Sequence, residues 1–470
     1  MKIKTSTFVA GLMACGAATF AVMPSAAKER LILLNEGLWQ ADNGKVTYFE
    51  DGEVVSNQWF RDVNGYKLGD TPNDIILVND SLIAISVNWS NIVQFISPDG
   101  KAVAATEDVP NNRCLATDGS YVYLSSYGHE CASEGGMLYF DKGYVAKIDA
   151  STFKVVDAVE VGYEPEGIAW YDGHLFVANT GGYAFQEDHE YETTVTVIDA
   201  ATMEVVRTVD TGQINLYGKM SQSGKYLIIN SPGDYYDVLA ATVIMDCEAA
   251  LAGQPDEECF VKLDCAATYS CTNANGNFFA VGAKYSYYTS EYEFNYLTIN
   301  PEEVMASGGS EGIYEEMPGT LMADLKTLSM PYGIYVNPYS GYIYATDAGS
   351  FAEAGELHQW SPEGEHLGSY KVYINPGHFL ALPEEKTPDN PDNPDNPDNP
   401  DNPDNPDNPD NPDNPDNPDN PDDPFGAVET VDADPAHEAP IYDLRGIRVT
   451  KPQPGEIYIS NGRKFIYKTK

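Results

Sequence analysis

The sequence predicts an all-β fold, a seven-bladed β-propeller whose C-terminal strand closes the first blade, and three observations carry that reading. First, a unit of roughly 50 residues recurs between residues 30 and 382, the spacing of four-stranded propeller blades. Its opening word is clearest in Thr71-Pro72-Asn73-Asp74-Ile75-Ile76, Glu164-Pro165-Glu166-Gly167-Ile168-Ala169, Met330-Pro331-Tyr332-Gly333-Ile334-Tyr335 and Asn375-Pro376-Gly377-His378-Phe379-Leu380. Second, short apolar strands alternate with polar turns, as in Val195–Asp199 followed by Val205–Val209, and no run of helical period interrupts them. Third, the first unit lacks its opening strand while the last opening word has nothing after it. Joining the two halves places Pro376–Leu382 inside the first blade and removes an exposed sheet edge.

In chain order, Met1–Lys4 is basic, Phe8–Met23 is apolar and Ser25-Ala26-Ala27 offers small residues for cleavage. Residues 1–27 therefore read as a secretory signal peptide, with lipidation at Cys15 in Leu12-Met13-Ala14-Cys15-Gly16 as the alternative. The propeller occupies residues 28–386. Its incomplete first unit runs from Leu31-Ile32-Leu33-Leu34 through Lys45–Phe49 to Gln58-Trp59-Phe60, and the other six open near Pro72, Asn111, Pro165, Leu216, Cys265 and Pro331. Residues 387–424 contain eleven uninterrupted Pro-Asp-Asn triplets, from Pro388 to Asn420. Proline fixes φ at every third position and the aspartates repel, so this spacer extends to about 100 Å at ~3.1 Å per residue. Residues 425–470 close the chain with Ile441-Tyr442-Asp443-Leu444-Arg445-Gly446, Gly455–Ile459 and an Asn461-Gly462 turn, a small β unit. Over 441–470 it carries seven Lys/Arg against two acids, opposite in sign to the rest.

A net charge of -45 argues against nucleic acid or an anionic membrane surface as partner. With Cys15 removed, six cysteines remain, an even number that reads as disulfides in an exported chain. Nearest-neighbour pairing (Cys114–Cys131, Cys247–Cys259, Cys265–Cys271) is the simplest of about fifteen connectivities.

Connectivity assigns the loops to two faces. Links between first and second strands are short polar turns such as Asp118-Gly119-Ser120 and Asp172-Gly173-His174, chosen for backbone geometry. Links between second and third strands are mostly longer and nearly all aromatic. They supply the candidate ligand-binding residues: Trp39, Trp89, Asn91, Tyr127, Tyr183, Phe185, Tyr235, Tyr236, Asp237, Tyr287, Tyr288 and Phe351. Such rings with polar neighbours on a rigid scaffold make a concave ligand surface.

Nothing points to an enzyme. His129, His174, His189, His358, His366 and His378 are scattered, and His378 in the closing strand reads as a packed or capping residue. No phosphate loop or cofactor-attachment motif is present, and no catalytic residue, metal ligand set or cofactor is expected. The acidic run Glu187–Glu192 reads as a solvated loop rather than a cation site. Asp234 and Asp237 are candidate acceptors for ligand amides.

The words Leu34-Asn35-Glu36-Gly37, Asn64–Asp70, Pro165-Glu166-Gly167-Ile168, Ala178–Gly182, Thr346–Gly349 and Pro376-Gly377-His378-Phe379 resemble the YncE-like surface propellers, and most nearly their BtuG type. That resemblance implies capture of cobalamin or a related corrinoid, bound as ligand rather than cofactor, at the surface of a Gram-negative cell beside a TonB-dependent outer-membrane transporter. The Tyr-Asp-Leu-x-Gly and Gly-x-Ile-Tyr-Ile-x-Asn-Gly elements of the tail resemble type IX secretion sorting domains. A stalk and sorting-like tail on a cleaved chain depart from the lipid-anchored pattern of those propellers. A glycan-binding or adhesion propeller is the alternative, and a secreted metal- or quinone-dependent enzyme a further one.

Overall fold

A computed structural model describes residues 29–128, 142–182, 189–286, 291–383, 457–460 and 463–466. The signal segment, Cys15, Cys131, Tyr183, Phe185, Tyr287, Tyr288 and the Pro-Asp-Asn spacer lie outside them. The chain divides into two units at Pro388/Asp389.

In the first unit the described residues form seven four-stranded antiparallel sheets. The inner strands of blades 2 to 7 are Pro72–Asn79, Asn112–Thr117, Pro165–Tyr171, Ser221–Ser223, Tyr269–Thr272 and Pro331–Val336. Blades 3, 5 and 6 thus open at Asn112, Ser221 and Tyr269, slightly later than the expected Asn111, Leu216 and Cys265. The inner strand of blade 1 is Pro376–Ala381, which pairs Leu31 with Ala381 and Leu34 with His378. The expected closure of the ring is therefore observed, and Leu382 N–H extends it by donating to the Arg30 carbonyl at 3.0 Å.

Each sheet is covered on both faces by its neighbours, which is why second strands such as Arg30–Asn35 and Leu82–Val87 read as nearly continuous apolar runs rather than alternating ones. Alternation then sorts side chains between two cores. Leu31 and Leu33 pack into the core between blades 7 and 1, whereas Ile32 and Leu34 pack into the one between blades 1 and 2. Such a core fills every blade-to-blade space around the ring.

Two of the expected disulfides are absent. Cys265 belongs to the core between blades 5 and 6 and Cys271 to the core between blades 6 and 7, so the sheet itself stands between them. Cys247 and Cys259 are free thiols in the core between blades 4 and 5, and the Cys259 thiol donates to the Pro255 carbonyl at 3.3 Å. Burial pushes the Cys247 thiol up, which keeps it protonated. Cys114 is also a free thiol, and its expected partner lies outside the described residues.

The blades join through a repeated contact on the face carrying the long loops. A β-carbon on Gly143 would lie 2.2 Å from Pro165 Cδ, and one on Gly44 would lie 2.3 Å from Pro72 Cδ. These glycines leave room for the proline opening the next blade. Gly143→Ala is expected to lower stability by about 2 kcal/mol, because the prolyl ring cannot move aside; a melting curve matching the parent would show that the joint is soft.

In the second unit, Ile457–Ser460 pairs antiparallel with Arg463–Ile466, in register from Ile457↔Ile466 to Ser460↔Arg463. This is the hairpin expected around Asn461-Gly462, which themselves lie outside the described residues.

Candidate functional site

Five of the seven inner strands depart from regular pairing where they begin. Register shifts occur at Pro72/Asp74, Asn112/Leu115, Pro165/Ile168 and Pro331/Gly333, and opposite Leu34/Asn35 in the closing strand. Four of these strands are preceded by a non-glycine residue in the left-handed region: Thr71 (φ 54°), Asn111 (φ 44°), Glu164 (φ 43°) and Asn375 (φ 53°). Each such residue stores of order 1–3 kcal/mol, and strain of this kind concentrates at functional positions. One contact holds it in place. The carbonyls of Thr71, Asn111, Glu164 and Asn375 accept from the backbone N–H of Asn88, Tyr127, Thr180 and Glu36, at 2.9 to 3.2 Å.

A bulge breaks the pleat and turns side chains that would pack between blades towards the axis of the ring. The result is a cavity of about 640 Å³ at the mouth of the central channel. Its wall includes Glu36, Arg113, Glu166, Tyr217, Lys219, Tyr269, Tyr332 and His378.

Three polar clusters line it. Arg113 grips Glu166 with two bonds of 2.6 Å, from Nε and from Nη2, and Tyr127 Oη donates to the same carboxylate at 3.0 Å. Burial works against the Arg113 charge, yet the Glu166 carboxylate wins and its guanidinium is held more firmly protonated than usual. Lys219, in the link into blade 5, reaches across the channel to Asp74 of blade 2 at 2.5 Å. The Asp74 carboxylate is fully buried and also accepts the backbone N–H groups of Ile75 and Leu115, each at 2.8 Å. Burial opposes the Lys219 charge, but Asp74 raises its pKa overall. This strut ties opposite sides of the ring at the cavity wall. In the third cluster Glu36 accepts from Tyr332 Oη at 2.9 Å and meets His378 Nε2 at 2.8 Å. Burial, then the Glu36 charge, push the Tyr332 hydroxyl well above its ordinary value; burial first and Glu36 next do the same at Tyr269.

The residues expected from the aromatic loops divide in two. Trp39 and Trp89 meet edge to face on the rim with centroids 5.0 Å apart, and Trp39 is 58% exposed. Tyr236 is 54% exposed, and Asp237 beside it is also exposed. Tyr235 is half-buried at φ 66° and acts on the Tyr217 hydroxyl. Phe351 meets Tyr332 at 5.6 Å in a T-shaped contact, so the blade 7 loop ring packs on a residue of the cavity wall. Tyr127 is buried in the Arg113 cluster rather than on the rim. Asn91 is a loop staple, because its Oδ1 accepts from Asn111 N–H at 2.9 Å.

Two further expectations change. Asp234 Oδ1 already accepts the N–H groups of Tyr236, Asp237 and Val238 at 2.8 to 2.9 Å, so it shapes its loop. Of the acidic run Glu187–Glu192, Glu187 and Asp188 lie outside the described residues and Glu190 is exposed, but the His189 side chain is 5% exposed, lies 2.7 Å from Glu164 and stacks on Tyr163 at 4.2 Å. Among the described residues, no three His, Cys, Asp or Glu side chains are grouped as a metal site.

The sequence reading did not single out Glu36, Arg113, Glu166, Tyr217, Lys219, Tyr269 and Tyr332; His378, expected as a packed or capping residue, is mostly covered and meets Glu36. The signal lay in the repeat itself. The residue after each opening Pro or Asn (Asn73, Arg113, Glu166, Tyr332) changes chemistry from blade to blade while its neighbours stay alike.

Residues 30–226 match a family described as a domain of unknown function (DUF5074). No curated protein matches the chain. Among solved structures, hydrazine synthase from Kuenenia stuttgartiensis is similar at 15% identity over 67% of this chain and 92% of that one, with a TM-score of 0.47. A functionally unknown protein from Desulfotomaculum acetoxidans DSM 771 is similar at 11% identity over 76% and 99%, also with a TM-score of 0.47. Apo AztD from Citrobacter koseri is similar at 11% identity over 74% and 84%, with a TM-score of 0.42. None of these likenesses bears on what this chain binds.

Proposed function

We propose that this chain is a capture protein, exported to the cell surface, whose ligand sits across the mouth of the propeller channel. Its ligand is a corrinoid such as cobalamin, passed on to a TonB-dependent outer-membrane transporter. The observation that carries this reading is a cavity of about 640 Å³ that mixes apolar walls with charged and phenolic groups, together with the exposed loop rings Trp39 and Tyr236. Inner strands from several blades bring hydrogen-bonding side chains to one volume, and Trp39, Trp89 and Tyr236 sit in links between second and third strands. A wide macrocycle edged with amides uses both parts: its apolar face lies against the rim rings and its amides reach the cavity groups. The N-terminal signal and the sorting-like tail support export.

Calorimetric titration with cyanocobalamin tests the ligand. Heat at micromolar protein is expected, and its absence removes the corrinoid. Trp89→Ala and Tyr236→Ala are each expected to weaken binding by about tenfold, the loss of one well-packed ring. Their melting temperatures should stay at the parent value, and unchanged affinity would take the rim out of the site. The exposed rings Trp39 and Tyr236 favour a second reading, in which the rim stacks on sugar faces; a glycan array that lights up while cyanocobalamin stays silent would select it.

A further inference from the structure

Charge matching at the mouth is incomplete, and the remainder has a definite chemistry. Arg113 is matched by Glu166, and Lys219 by Asp74. Glu36 is the lining carboxylate that forms no ion pair with Lys or Arg among the described residues; its partners are the Tyr332 hydroxyl and His378. Rings stand around it. Tyr269 and Tyr332 have centroids 5.6 Å apart at 54°, a wedge rather than a stack, and Phe351 closes on the far edge of Tyr332. Tyr217 lines the same cavity from the link into blade 5, between the Glu166 cluster, which acts on its hydroxyl most, and Glu36.

A carboxylate held by a tyrosine hydroxyl in a cavity that further tyrosines line is the chemistry that recognises an organic ammonium group. Each ring face attracts a cation by its quadrupole, and the attraction grows as water is excluded. The acidic chain raises the local concentration of cations before they bind. A metal ion is the poorer fit, since Glu36 and His378 supply only two ligands of the usual kinds.

We propose that Glu36, ringed by Tyr217, Tyr269 and Tyr332 and steadied by His378, is a subsite for an alkylammonium group. This rests on the mouth being a ligand site, but not on the ligand being a corrinoid. The phenols stay protonated there, because burial and Glu36 raise Tyr269 and Tyr332, so no phenolate competes with the carboxylate for the guest.

The test titrates the full chain with choline and, separately, with 3,3-dimethylbutan-1-ol, which has the same shape without the charge. Choline is expected to bind at millimolar concentration or below, and the neutral isostere at least about tenfold more weakly. Glu36→Gln is expected to reduce choline affinity by about tenfold, with choline acting on the parent as the control that needs no variant. Equal binding of the two probes, no choline binding at millimolar concentration, or an unaffected Glu36→Gln chain each overturns the subsite. Cyanocobalamin titrated alongside separates the two readings. Choline heat with cyanocobalamin silent supports the subsite and removes the corrinoid. Cyanocobalamin heat with choline silent removes the subsite and leaves the corrinoid standing.

Discussion

A chain ending at Ile374 is expected to lose the closed ring, whereas one ending at Pro383 keeps it. The shorter chain lacks Pro376–Ala381, the inner strand of blade 1, and so exposes the inner edge of Arg30–Asn35. It also uncovers the cores on both sides of that blade. Phe379 and Ala381 leave the one shared with blade 7, and Leu380 and Leu382 leave the one shared with blade 2. Returning three large apolar side chains to water costs about 5 kcal/mol or more, before any backbone bonds are counted. That is comparable with the whole stability of an ordinary domain. Because a ring has no other strand to fill the gap, the loss should spread rather than stay local, giving a broadened, lowered thermal transition and association through the free edge. Circular dichroism melting and gel filtration of the two chains check this. A shorter chain that melts with the longer one would mean that blade 1 is held by its neighbours alone.

That closure was legible in the sequence because it depends on counting. An opening word with nothing after it and a first unit with nothing before it can be matched without knowing any contact. The two faces were legible for a similar reason, since strand order and loop length fix them. The cavity residues were not. In a propeller the flat faces of each blade pack on neighbours, so alternation explains side chains such as Ile75 and Leu77 in the core between blades 1 and 2 and says little about which ones border the channel. Only the bulges turn Arg113, Glu166 and Tyr332 inward, and a bulge is a property of pairing between strands rather than of a word within one. The thiols failed on the same ground: an even cysteine count is silent on which side of a blade Cys265 and Cys271 face.

Arg113→Met is the substitution expected to strain the mouth most. Glu166 has a side chain only 4% exposed, and Arg113 supplies both of its short charge-assisted bonds. Removing the guanidinium leaves a buried carboxylate with the Tyr127 hydroxyl as its remaining side-chain donor, a change worth about 3–5 kcal/mol. The loss belongs to the orphaned charge rather than to the missing bonds, and that distinction can be measured. Arg113→Met with Glu166→Leu removes both charges, fills the volume with apolar atoms and should recover most of the stability, as buried pairs replaced together often do. Arg113→Lys keeps the charge but not the planar fork, so it should fall between parent and Met. Denaturant melts of the parent, Arg113→Met, Glu166→Leu and the double variant close a double-mutant cycle on one contact. If the double variant were no more stable than Arg113→Met alone, the pair would be holding the bulged strand entrances themselves. In that case the shape of the cavity, and not merely its charge, would depend on it.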